Sequence, residues 1–141
     1  MALAWVIVEI LYLTEKGVIR AKVASYLAAL FIIAGCWVVG GYNYLTVYGA
    51  QVKPIILTGP EPWAHRILME SKEHIFIFLP IIALSLCMTL SAINKDVLLE
   101  DRKSRLAIMK IASLALFMVL LMFLIGAFIS NAGKISLKGL T

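Results

Sequence analysis

The chain has 141 residues, 62% of them hydrophobic and 15% charged. Soluble domains carry about 25% charged residues, and a mean hydropathy of +0.98 lies far to the membrane side, so a separate soluble domain of ordinary size is excluded. The net charge of +5 is carried by basic residues flanking apolar segments, which points to lipid headgroups and away from nucleic acid.

A spanning helix needs roughly 20 mainly apolar residues. The expected fold is therefore an all-α integral membrane bundle. It has three transmembrane spans, 24–44, 75–93 and 107–130, within one membrane domain, and a fourth, short apolar helix at the N-terminus. Residues 2–13 are apolar apart from Glu9. At about 18 Å they are too short to cross. The segment 1–18 is expected either to lie in the interface plane or to tuck against the bundle and end at Gly17. It lacks the basic region and cleavage site of a secretory leader. Glu9 is its one ionisable group in apolar company, with proton handling or quinone contact as the functional reading.

The first span follows Lys16, Arg20 and Lys22. Ser25, Ala28, Ile32 and Gly35 recur on one face, and small residues there let a second helix approach closely. Trp37, Tyr42, Tyr44 and Tyr48 suit the boundary between lipid tails and headgroups. Residues 49–62, with Gly49, Pro54, Gly59, Pro60 and Pro62, read as a loop. Pro62 and Glu61 predict a helix from about 62 to Asn94. Its first part, Trp63–His74, projects beyond the span, and Pro80 is expected to kink it. The connection 94–105 is charged. Lys110, near the start of the last span, can snorkel, and the tail 131–141, with Gly133, Lys134, Lys138 and Gly139, is expected to be an exposed end. Lys and Arg number eight on the side of the N-terminal flank and the 94–106 connection, and five on the side of the 45–74 connection and the tail. The N-terminal flank therefore faces the cytoplasm of a bacterial or archaeal plasma membrane, and the 45–74 connection faces outward.

Cys36 and Cys87 each lie in an apolar segment without a CxxC or CxxCH pattern, so they read as small core residues. Both histidines, His65 and His74, fall in the stretch 60–74 with Glu70 and Glu73. Histidine is a common axial ligand of b-type haem. His74 sits where a span begins, beside apolar Phe76, Ile77 and Phe78, and Arg66 or Lys72 can pair with propionates. His65 and His74 are nine residues apart, on opposite sides of a straight helix, so they cannot hold one iron together there. A metal reading takes His65, His74, Glu70 and Glu73, since carboxylates and imidazole suit a transition metal, although the Glu-x-x-His pattern of di-iron bundles is missing. The plain alternative is a solvated or subunit-facing amphipathic helix anchored by Trp63 and Arg66.

No phosphate loop, Gly-x-Ser-x-Gly or Cys–His nucleophile is present. The spans offer little polar beyond Ser85, Thr89 and Ser113, so neither an enzyme acting alone nor a transporter is expected. The expectation is a small integral subunit of a larger respiratory or electron-transferring membrane complex, contributing to a haem b or quinone site near the outer surface. Its partners would be other membrane subunits and lipid. The alternative is a non-redox structural or assembly subunit.

Overall fold

The computed structural model describes residues 1–138, and every described element is helical. Three helices are long and apolar enough to cross a membrane: Glu15–Thr58 (α2), Ala64–Ala92 (α3) and Arg102–Lys138 (α5). Two shorter helices, Ala2–Leu11 (α1) and Lys95–Glu100 (α4), complete the chain.

Helix α1 reverses at residues 12–14 and packs along α2 and α5, burying Leu3, Val6 and Ile10. It thus adopts the tucked arrangement. Thr14 caps α2 by accepting the Gly17 amide at 3.0 Å, and Glu15 places negative charge in the first turn. A Cβ at Gly17 would lie 3.1 Å from both Glu9 Oε2 and Thr14 Oγ1, so glycine permits the close return of α1. Glu9 is held by Arg20, whose Nε lies 2.8 Å from Oε1. Trp5 Nε1 donates to the same carboxylate at 2.9 Å.

The first long helix corrects two expectations. It does not end at Tyr44, and residues 49–58 are not a loop: α2 continues unbroken to Thr58 over 44 residues. Two stretches, Phe31–Val39 and Tyr44–Val52, are wound more widely than an α-helix. The Gly40 amide accordingly bonds back to Gly35 O, five residues earlier. Pro54 follows the second wide stretch, within the first turn of the tighter segment Lys53–Thr58, where its missing donor is tolerated. The chain leaves the helix at Gly59, which is extended. Helix α3 then starts at Ala64, two residues later than expected, and runs through Pro80 to Ala92.

The charged connection contains α4, with Leu98 buried beneath it. Asp101 caps α5, accepting the Lys103 and Ser104 amides at 3.0 Å each. The Ser104 hydroxyl and those amides hold its carboxyl below the usual range. The last helix is also longer than expected. Residues 131–138 are its final turns and not an exposed tail: Ala132, Gly133 and Ser136 are buried. Gly139 lies outside the described residues.

Two buried clusters result. The larger joins α1, α2, α3, α4 and α5 around Val6, Ala24, Leu86, Leu98 and Ile108. At this end Lys22 donates to Ser91 O and Ile93 O, and Lys95 meets Glu15 at 3.1 Å. The smaller gathers Ile56, Ala64, Met69, Ile125, Ile129 and Ala132 at the far end. Outward faces stay apolar, with Phe117, Phe123 and Phe128 each more than half exposed.

Candidate functional site at the far end of the bundle

Where the two clusters meet, the helices do not close completely. Gly40 and Gly41 of α2 and Gly126 of α5 leave space beside Lys72, Glu73 and Phe76 of α3. A cavity of about 740 Å³ opens there, and a second of about 510 Å³ adjoins it toward the chain reversal. Tyr44, Lys72 and Gly126 line both. Most of the lining is apolar. The volumes fall within the range of roughly 300–1,000 Å³ that small-ligand sites occupy.

A string of titratable and hydroxyl side chains runs from these cavities, lined by Glu73, Tyr44 and Tyr48, to the buried His65 behind Tyr48. Tyr44 Oη donates to Glu73 Oε1 at 2.6 Å. The Tyr44 and Tyr48 rings stack with centroids 5.6 Å apart. Tyr48 Oη lies 3.0 Å from His65 Nδ1, and these two rings are 5.9 Å apart. Glu73 and Tyr44 line the larger cavity, and Tyr44 and Tyr48 line the smaller. The wide winding of Tyr44–Val52 keeps both phenols on the side facing α3, four residues apart.

A phenol hydroxyl both donates and accepts, so the imidazole tautomer sets which of Tyr48 Oη and His65 Nδ1 donates. His65 is buried.

The other expected site residues go elsewhere. His74 is exposed, and its Nδ1 lies 2.7 Å from Glu70 O of its own helix. A carbonyl only accepts, so Nδ1 carries a proton. Glu70 and Arg66 are exposed. The four residues of the metal reading are not brought together, because helical spacing turns His65 inward and His74 outward. Among the described residues no three His, Cys, Asp or Glu side chains converge to hold a metal ion. Cys87 is buried and Cys36 half-buried, both as free thiols, and Cys36 lines the larger cavity.

Sequence reasoning placed His65 and Glu73 near a site but left Tyr44 and Tyr48 as boundary aromatics. Their spacing of four, on one helical face, was the available signal.

Compared with known proteins, the chain matches no family model, no curated protein and no solved structure.

Proposed function

We propose that this chain is a small integral subunit of an electron-transferring membrane complex, and that its far end binds the ring of a quinone-type amphiphile. The observation that carries the reading is the string Glu73–Tyr44–Tyr48–His65 beside an apolar cavity. A quinone needs hydrogen-bonding groups for its ring oxygens, a proton source, and an apolar passage for its tail. Tyr44 supplies a hydroxyl at the cavity wall, its proton held on Glu73 until a ring oxygen competes for it. Glu73 and His65 are carboxyl and imidazole groups able to exchange protons with the ring oxygens through the phenols. The glycine-lined gap and Phe76 supply the apolar passage.

Quinone reduction takes two electrons and two protons. Tyr44, Glu73 and His65 are groups for the protons, and on this reading a redox centre on a partner subunit delivers or takes the electrons. The chain is on this reading a non-catalytic subunit by itself. Its exposed phenylalanine-rich faces are covered by lipid and by that partner. The excess of Lys and Arg puts the N-terminal flank in the cytoplasm and the site near the outer surface of a bacterial or archaeal plasma membrane.

A specific observation favours a second ligand type. His74 holds Nδ1–H on a backbone carbonyl and keeps Nε2 free, the arrangement that orients metal-bound imidazoles. Its exposure suits a b-type haem shared with a partner, with Arg66 available to a propionate.

The test is solvent extraction of the detergent-purified native complex for quinone, together with reduced-minus-oxidised spectra and pyridine haemochrome analysis. Stoichiometric quinone, lost in Glu73→Gln and Tyr44→Phe, supports the main reading. A b-type signal lost in His74→Ala supports the haem. Neither ligand in any preparation leaves a non-redox structural subunit and overturns both.

A further inference from the structure

The smaller cavity has a second character that a neutral quinone does not use. It lies between the far halves of α2 and α5 and is lined by two lysines, Lys72 and Lys134, with Asn43 and Ser130. Among the described residues neither lysine makes a hydrogen bond or an ion pair. Glu73, the nearest carboxylate in sequence to Lys72, is engaged by Tyr44. Lys72 is half-buried and turned into the bundle: its Nζ lies 3.3 Å from where a Gly126 Cβ would be. Gly126 thus provides the seat for the ammonium. A cation held among apolar side chains without a counter-charge is costly, and an acid brought by a ligand would offset that cost. Beside the Tyr44 and Tyr48 rings, the wall includes the aliphatic Val47, Val52, Ile129 and Leu137, which suit a hydrocarbon chain.

We infer that this cavity binds an anionic amphiphile, its acid group paired with Lys72 and Lys134 and its hydrocarbon chain laid along the aliphatic wall between α2 and α5. The shared chemistry is a single phosphate or carboxylate on an acyl chain, and its source is either an anionic phospholipid or a free fatty acid. This goes beyond the quinone reading: the two cavities share Tyr44, Lys72 and Gly126, but neither lysine belongs to the Glu73–His65 string and Lys134 lines the smaller cavity alone.

The test is native mass spectrometry of the full chain in neutral detergent, titrated separately with dioleoylphosphatidylglycerol, oleic acid and zwitterionic dioleoylphosphatidylcholine. One adduct is expected with an acidic ligand, at an affinity about tenfold above phosphatidylcholine, since charge-assisted pairs contribute on that order. Lys72→Met and Lys134→Gln should each remove most of this preference. Lys134 is exposed, so its substitution keeps the test valid even where Lys72→Met fails to fold. Binding of phosphatidylglycerol alone identifies a lipid headgroup, binding of oleate alone a free acid, and binding of both the shared chemistry. Equal binding of phosphatidylcholine, or an acid preference untouched by Lys134→Gln and Lys72→Met, overturns the proposal. Quinone extracted from Lys134→Gln, whose residue does not line the larger cavity, separates a failure here from a failure of the redox site.

Discussion

Tyr48 Oη and His65 Nδ1 lie 3.0 Å apart and tie the far turns of α2 to the first turn of α3. The bond gives a nitrogen of a buried imidazole its partner beside a chain reversal, an apolar cavity and a carboxylate–phenol pair. Tyr48→Phe removes this bond and leaves the imidazole nitrogen without its partner, so stability in detergent should fall by about 1–3 kcal/mol. Thermal unfolding compares the variant with the parent chain, and an unchanged midpoint would show that the bond does not tie the two helices.

Gly59 meets Ser136 so closely that an added Cβ would fall 2.6 Å from the Ser136 Cβ and 3.0 Å from Ile55 O. Gly59→Ala should lower stability by about 1–3 kcal/mol, the usual range for overpacking. Adding Ser136→Gly should recover part of that loss. Gly35→Ala, where nothing lies within 4 Å, serves as the control and should be neutral or mildly stabilising. Thermal midpoints followed by tryptophan fluorescence compare the three. A loss at Gly35 equal to that at Gly59 would refute the close-contact account.

Helix α1 is pinned where Arg20 meets Glu9. Arg20→Met should loosen it and expose its packed face. The readout is the maleimide labelling rate of Val6→Cys, a fully buried position, in a Cys36→Ser, Cys87→Ala background. Labelling should be faster with Arg20→Met than without. Unchanged labelling would mean that apolar packing alone holds α1.

Topology is open to direct measurement. Single cysteines at Asp96 and at Glu61 should react with a membrane-impermeant thiol reagent from opposite sides of intact cells, Glu61→Cys from outside and Asp96→Cys only after permeabilisation. The reverse pattern would invert the orientation.

Much of the bundle was legible as sequence because uninterrupted apolar runs dominate hydropathy, and the pairing of His65 with Glu73 in one polar stretch marked the far end. The helix ends were not legible. Gly49 and Pro54 read as a stop, yet wide winding before Pro54 carries α2 on to Gly59. Gly133 and Lys134 read as a tail, but Gly133 lies against Val52, where a Cβ would meet it at 3.6 Å. That contact exists only once α2 is known to extend so far. The same extension brings Tyr48 to His65, so the missed helix end and the missed tyrosines are one error.

The most direct test of the proposed quinone site is photolabelling of the native complex with an azidoquinone, followed by peptide mapping. The account predicts saturable label on the segments holding Tyr44–Tyr48 and His65–Phe76, displaced by excess unlabelled quinone and weakened by Glu73→Gln. Label spread along the exposed apolar faces of α2, α3 and α5, undiminished by competitor or by Glu73→Gln, would contradict it.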